Sequence, residues 1–335
     1  MDTEKQQQPD EMTLDAALRP TTWGEYIGQE KTKRNLRVML DAAKKRNETP
    51  DHLLFYGQAG LGKTTLAYLV AKELGANLRV TSGPALEKMG DVAAILSNLE
   101  ANDILFIDEV HRLNRLIEEV LYPAMEMRKL HMVIGKGPAA RTLSIDLPPF
   151  TLLAATTKPH LISGPLRSRF GATFKLDYYE PQDIEAIIKR SAVVLKLDIK
   201  NDAVVALAQA SRFTPRVANR LLKRVRDYAS VNDITVITGE VAQKTLDMLE
   251  VDHLGLELFD RHLLEVIIKK FNGGPVGVNT LAAALSDDPA IIEDVYEPYL
   301  MRLSFLARTP SGRMATPLAY KHLGLKMPEL EGGLL

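Results

Sequence analysis

The chain has 335 residues, 46% hydrophobic and 25% charged, and its 42 Lys and Arg against 43 Asp and Glu leave a net charge of −1. The length predicts two or three domains, and the balanced composition excludes disordered and collagen-like chains while leaving nucleic-acid binding undecided for the chain as a whole. There is no cysteine, which removes disulfides, thiol chemistry and Cys-ligated zinc or iron–sulfur sites, and none of the seven histidines stands four residues from another, which removes an HExxH helix.

The first residues are Gln-rich and acidic without an apolar segment, so 1–13 is expected to be a flexible tail and no secretion signal is expected. No apolar run approaches the ~18 residues that span a bilayer, so a soluble cytoplasmic protein without membrane contact is expected. From 14 to 179, short apolar runs at His52–Tyr56, Leu78–Thr81, Ile104–Ile107 and Phe150–Ala155 alternate with longer amphipathic stretches. Runs apolar on consecutive positions suit strands covered on both faces, which predicts an α/β domain with a parallel sheet. Residues 132–147, two short alternating stretches around Gly135-Lys-Gly-Pro, predict a β-hairpin, either an ordinary surface hairpin or an arm for a partner.

From Pro181 the strands give way to helical spacing over Asp183–Lys196, Asn201–Ser211, Pro215–Val231 and Gly239–Leu249, with Asp202 and Thr214 as expected caps. This predicts a small helical domain over 180–252. In 253–335, helices are expected at Asp260–Phe271, Val278–Leu285 and Pro289–Leu306, followed by two short strands around Pro310-Ser-Gly, the outline of a winged helix.

Gly57-Gln-Ala-Gly60-Leu-Gly62-Lys63-Thr64 fits GxxxxGK[ST] between an apolar run and the helical period that opens at Thr65. Glycines let successive N–H groups turn inward, and the helix N-terminus adds positive charge where phosphates would lie. Lys63 is expected to reach the β- and γ-phosphates, and Thr64 to hold Mg²⁺. Forty-five residues after Lys63, the run Ile104–Ile107 delivers Asp108 and Glu109, expected to hold the metal through water and to polarise the attacking water. Asp108-Glu-Val-His111 has only the superficial form of a DExH box, since the later elements fit a different class, and His111 is expected to be simply a polar residue leaving the strand. Thr156 and Thr157 end the next strand, where a hydroxyl either senses the γ-phosphate or caps the strand. Arg167 and Arg169 are either surface charges or a finger donated across a subunit boundary. Arg216 opens a helix, where a cation is unfavourable unless a phosphate partners it.

Together these elements resemble the AAA+ ATPases, and more narrowly the RuvB family. The narrower resemblance rests on Leu18-Arg-Pro, Tyr26-Ile-Gly-Gln29, Asp108 to Leu113, Glu119 to Glu126, Gly137 to Arg141, Asp146 to Thr151 and Pro165-Leu-Arg-Ser-Arg-Phe-Gly171. Gly273 to Gly277, Thr280 to Ala284, Ile292 to Val295, Glu297-Pro-Tyr-Leu300 and Arg308-Thr-Pro-Ser-Gly-Arg-Met-Ala-Thr316 extend it through the last domain, so it covers about 14–325.

The resemblance implies an ATP-hydrolysing, Mg²⁺-dependent helicase-type motor that drives branch migration of Holliday junctions in recombination, repair and the SOS response to DNA damage. Its fold would be an AAA+ P-loop core over 14–179, a helical lid over 180–252 and a winged-helix DNA-binding head over 253–335. The implied partners are four-way junction and duplex DNA, further copies of the chain in a ring (a hexamer), a RuvA-type protein docked on hairpin 132–147 and a RuvC-type resolvase in the same pathway. By the same resemblance, Leu18, Arg19, Tyr26 and Ile27 line the adenine pocket, Tyr179 contacts the nucleotide, and Gly60, Gly62, Lys63, Thr64 and Thr65 hold the phosphates. Glu126, Met127 and Arg128 approach a neighbouring subunit's nucleotide, Arg169 is the trans-acting finger, Thr157 and Arg216 are sensors, and Arg308 and Arg313 contact the DNA backbone.

The loop departs from the family pattern at Gln58 and Ala59, outside the Gly-Lys-Thr core, and Phe213 stands where a glycine is usual before Thr214-Pro-Arg216. Five basic and no acidic residues lie between Pro298 and Pro328, either a patch for phosphates or a solvated face. A clamp-loader-like remodeller and a non-hydrolysing DNA-binding switch stand as rival readings. The winged domain weighs against the first, and Glu109 with Arg169 against the second.

Overall fold

The structure, a computed structural model, describes residues 11–134 and 141–327. The described residues form two compact units, one drawn from residues up to 196 with 213–220, the other from 197–212 with those from 221 on.

The first unit is built on a five-stranded, all-parallel sheet in the order β2-β3-β6-β1-β7. Its strands are β1 (Leu53–Tyr56), β2 (Leu78–Ser82), β3 (Ile104–Asp108), β6 (Thr151–Thr156) and β7 (Ala172–Lys175); β4 and β5 form the hairpin below. The central strands β3 and β6 are buried along almost their whole length, as consecutive apolar residues require when helices cover both faces. β7 was not expected: Ala-Thr-Phe-Lys is short and only Phe174 is buried, so an edge position gives it no apolar run. Helices α1 (Glu11–Leu18), α2 (Glu30–Arg46), α3 (Lys63–Leu74), α4 (Met89–Ser97), α5 (Arg115–Met127), α6 (Gly164–Arg167) and α7 (Pro181–Val194) complete it. One face of the sheet packs Leu54, Leu105, Ile107, Leu152 and Ala154 against Leu96, Ile117 and Leu121 of α4 and α5.

The expected tail of 1–13 is shortened, because α1 already begins at Glu11; residues 1–10 lie outside the described residues. The expected hairpin is longer, with β4 (Lys129–Ile134) paired antiparallel to β5 (Arg141–Asp146) over six residue pairs; its tip, 135–140, lies outside the described residues. Met132 and Ile145 pack on the core while Leu143 is exposed.

In the second unit, α8 (Asn201–Gln209) and α10 (Gly239–Met248) pack together, and β8 (Asp198–Ile199) pairs parallel with β9 (Val236–Ile237), each too short for any periodicity to reveal. Between them in the chain runs α9 (Pro215–Val231), whose first six residues belong to the first unit and whose start is capped by Thr214, which accepts from the Val217 N–H at 3.4 Å. Asp202 does not cap α8: it lies one residue inside the helix. The end of this unit carries α11 (Leu258–Lys270) and α12 (Val278–Leu285), then a helical segment, Pro289–Arg302, which is not the single regular helix expected. It contains a π-helical turn, Ile292–Tyr296. Strands β10 (Leu306–Thr309) and β11 (Gly312–Ala315) form the wing, with Arg308 directly opposite Arg313, and a short helix, Pro317–His322, follows.

Candidate functional site

The order of the sheet brings the C-terminal ends of β1, β6 and β3 side by side, with Tyr56 opposite Thr156 and Ile107 opposite Ala154. Ligands of open parallel sheets bind at such an edge. β1 runs into the glycine loop, and α3 starts at Lys63 on the far side of it. Gly60 and Gly62 have φ of +81° and +97°, and a Cβ at either would lie 2.9 Å from its nearest neighbour: the Arg216 Cβ for Gly60, the Tyr26 hydroxyl for Gly62. Both the backbone and the space therefore demand glycine.

Lys63 is only 6% exposed, and its ammonium donates to the carbonyls of Gly57 and Gln58 at 2.8 and 2.9 Å. Burial pulls its pKa below the usual lysine value, an effect that the carboxylates of Glu109 and Asp108 oppose. The Thr64 hydroxyl donates to Asp108 Oδ2 at 3.1 Å. Glu109 has a φ of +49°, and its Oε2 lies 3.3 Å from the Thr157 hydroxyl and 3.2 Å from His111 Nδ1. His111 therefore does more than leave a strand. It joins Glu109 to the Thr156 hydroxyl (2.9 Å), and that hydroxyl also accepts from the Lys158 N–H. Of the two threonines, Thr156 caps the strand end and Thr157 faces the acid.

Lys63, Thr64, Asp108 and Glu109 border a cavity of about 410 Å³, whereas His111, Thr156 and Thr157 do not line it, so Thr157 reaches it only through Glu109. The residues it gathers include Leu18, Arg19, Tyr26, Ile27, Gly60, Gly62, Lys63, Thr64, Thr65, Asp108, Glu109, Tyr179 and Arg216. Tyr26 and Tyr179 are buried and both reach toward the Leu61 carbonyl, at 3.5 and 3.2 Å; burial pushes the Tyr179 phenol up to about 12. Sequence reasoning missed Asp15, Glu25, Ile187, Arg190 and Asn219 on the same wall. Arg190 holds the Leu18 carbonyl at 2.7 Å and Asn219 accepts from Ser191 at 2.8 Å, supporting roles that only packing reveals. Among the described residues no three His, Cys, Asp or Glu are grouped as a metal cage. A hydroxyl beside one carboxylate is instead the partial, all-oxygen donor set that suits Mg²⁺, which keeps waters and takes further ligands from phosphates.

Arg169 and its expected companions stand elsewhere. Glu126, Arg128 and Arg169 line a second cavity, of about 310 Å³, and none of them borders the first. Met127, also expected near a nucleotide, lines neither cavity and is exposed. The Arg169 guanidinium lies 3.1 Å from Glu126, donates to the Pro165 carbonyl and rests 4.4 Å over the Tyr122 ring.

The wing arginines differ from each other. Arg308 is exposed and lies 3.3 Å from Glu293. Arg313 is 6% exposed, and Glu297 (2% exposed) and Glu293 bind its guanidinium at 2.5 and 2.6 Å. The expected outward-facing pair is thus one exposed arginine and one buried in an ionic cluster, because the helical segment preceding the wing brings two carboxylates beneath it.

Among the described residues no helix is long and apolar enough to cross a membrane. Three family models account for nearly the whole chain: the Holliday junction DNA helicase RuvB P-loop domain over 18–176, the RuvB AAA lid domain over 179–252 and the RuvB C-terminal winged helix domain over 253–324. Among solved structures, the Thermotoga maritima RuvB Holliday junction branch migration motor is 48% identical, covering 93% of this chain and 100% of that one, with a TM-score of 0.86. Two single-substitution variants of Thermotoga maritima RuvB match at 48% identity, covering 93% of this chain and 99% of theirs, each with a TM-score of 0.84. With the phosphate loop, the acid-tipped strand, the helical lid and the wing all in place, the chain belongs to the RuvB family of P-loop AAA+ ATPases, the helicase-type motors of Holliday junction branch migration.

Proposed function

We propose that this chain works as a ring, a hexamer by family, in which each nucleotide is held by one subunit and hydrolysed with help from the next. The domains would be an ATPase core over 14–179, a lid over 180–252 and a DNA-binding head over 253–335. Lys63 and Thr64, with the N–H groups that open α3, would hold the phosphates of ATP; Thr64 and Asp108 would hold Mg²⁺, which when bound offsets phosphate charge. Glu109, oriented by Thr157 and His111, would take the proton of the attacking water. Leu18, Arg19, Tyr26, Ile27 and Tyr179 would enclose the base and sugar, and Arg216 would register loss of the γ-phosphate at the lid.

The observation that carries the reading is the division of labour between the two cavities. Lys63, Thr64, Asp108, Glu109 and Arg216 meet on one, whereas Arg169, with Glu126 and Arg128, lines another. An arginine finger worth ~10³–10⁵ in rate would then reach a nucleotide only from a neighbouring copy. Arg308, with Arg313 behind it, would contact the DNA backbone and leave base edges unread, as a motor indifferent to sequence requires. Hairpin 132–147 would dock a RuvA-type junction-binding protein through exposed residues such as Leu143, with a RuvC-type resolvase acting in the same cytoplasmic pathway.

The test is ATP-dependent dissociation of a synthetic four-way junction, with and without a RuvA-type protein. Dissociation that requires ATP and rises with the partner is expected. ATP hydrolysis without junction processing would refute the motor reading and leave only an ATPase.

A further inference from the structure

The segment that delivers Arg169 is fixed by groups the mechanism above does not use. Glu118, Tyr122 and Glu126 are spaced four residues apart on α5 and so share one face of that helix. Tyr122 lies under the Arg169 guanidinium and Glu126 pairs with its tip. Glu118 makes no hydrogen bond or ion pair to Arg169, yet it is a carboxylate only 6% exposed inside the first unit. Its Oε2 accepts from the Ser163 hydroxyl at 2.5 Å and from the Tyr122 hydroxyl at 2.9 Å, and those two hydroxyls lie 3.1 Å apart. Ser163 is the N-cap of α6, its oxygen accepting from the Leu166 N–H at 3.3 Å, and Arg169 follows that helix by two residues.

A single buried acid therefore ties down both things that aim the finger: the start of the short helix that leads to it and the aromatic ring on which it rests. Burying a carboxylate is costly unless it is fully hydrogen-bonded. A hydroxyl pair that needed only satisfying could be satisfied by neutral groups, whereas a charged acceptor holds both hydroxyls in short, directional bonds. The Nε of Arg169 is buried without a hydrogen-bond partner, so the guanidinium is kept in place by its tip and its face alone. A shift of the Tyr122 ring or of the Ser163 cap would therefore displace it directly.

We propose that Glu118, acting through Ser163 and Tyr122, is a positioning residue for Arg169, needed by a subunit when it serves its neighbour's nucleotide and dispensable when it binds its own. The inference rests on the trans reading of Arg169. It is tested in full-length protein with Glu118→Gln, measuring nucleotide affinity, turnover of the variant alone, and turnover in mixtures with Lys63→Met subunits, which lack a working nucleotide site but keep Arg169. Expected are unchanged ATP affinity, a 10- to 100-fold loss of turnover alone, the size of loss that displaced catalytic groups produce, and recovery in the mixture. A defect confined to stability would lower nucleotide affinity as well and would not be repaired by a neighbour.

Ser163→Ala, which removes one hydroxyl and no charge, is expected to give a smaller loss of the same rescuable kind and keeps the proposal testable if Glu118→Gln folds poorly. Arg169→Ala in the same mixtures separates the two levels of the argument. If it is not rescued, the trans reading fails and this inference with it. If it is rescued while the Glu118 and Ser163 variants turn over normally, lose nucleotide affinity or resist rescue, the inference alone is overturned.

Discussion

Replacing Lys63 by Met separates phosphate binding from folding, because the lysine is expected to contribute to one and hardly to the other. Its ammonium donates two hydrogen bonds to the Gly57 and Gln58 carbonyls, each worth about 0.5–1.5 kcal/mol net. Against this, the charge is buried, and burial lowers the lysine pKa in the folded state. The protonated lysine therefore opposes folding at neutral pH, an opposition that fades as pH rises through the lowered value. The two effects work against each other, so the stability of the nucleotide-free variant is expected within about 1.5 kcal/mol of the parent. The nucleotide effect is larger: a ligand present at 100 times its Kd stabilises by about 2.7 kcal/mol. For a unit of about 200 residues, at about 2–4 °C per kcal/mol, this corresponds to a rise of about 5–11 °C in Tm. Thermal melts with a non-hydrolysable ATP analogue and Mg²⁺ measure both quantities. The parent should shift and the variant should not. A variant that retains the full shift would refute the assignment of Lys63 to the phosphates, and one that loses several kcal/mol without nucleotide would make the lysine a structural residue.

Three further outcomes are expected. Arg308→Ala should weaken binding to duplexes of any sequence and reduce the slope of log K against log salt by about 1, whereas Glu293→Gln, which removes the carboxylate beside both wing arginines, should tighten binding; fluorescence anisotropy across a salt series reads both. Glu297→Leu should destabilise the winged region by about 3 kcal/mol, the lower end for breaking a buried ion pair because Glu293 still holds Arg313; urea denaturation measures it. His52 has a pKa lowered by burial, with Nδ1 accepting from the Leu152 N–H and Nε2 donating to the Met125 carbonyl. Its contribution is complete above the unfolded value of about 6.5 and is lost as pH falls below it, so His52→Gln should flatten the fall in stability as pH drops below about 6.5.

The nucleotide site was legible because its chemistry is local. A glycine loop between strand and helix, and an acid pair at the end of an apolar strand, each carry their geometry in a few consecutive residues. What stayed hidden depends on packing between distant segments. Arg190 and Asn219 support the cavity from helices whose polar residues look like ordinary surface positions. β7 is half-exposed at a sheet edge, and the Asp198–Ile199 and Val236–Ile237 strands are two residues long, so neither shows a period. Glu118 was invisible for another reason: an acid on an amphipathic helix predicts a solvated face, whereas the fold buries this one and brings Ser163 to it from 45 residues away.

The wing shows how far counting charges can go. The window from Pro298 to Pro328 holds five basic residues and no acid, yet it opens one residue after Glu297. In space, Glu297 and Glu293 sit against Arg313, and Glu293 also faces Arg308, so part of the positive charge read from the sequence is already answered within the fold. On the proposed reading of Arg308, a DNA phosphate would have to compete with the Glu293 carboxylate for its guanidinium. If the wing contacts DNA as proposed, a head built this way would hold it weakly and release it readily, which would suit a motor that must rebind at every step. Tight retention, by contrast, would spend the energy of hydrolysis on release. If Glu293→Gln tightened DNA binding and also speeded junction dissociation, that argument would fail, because weak holding would then be a defect of the wing and no part of its work.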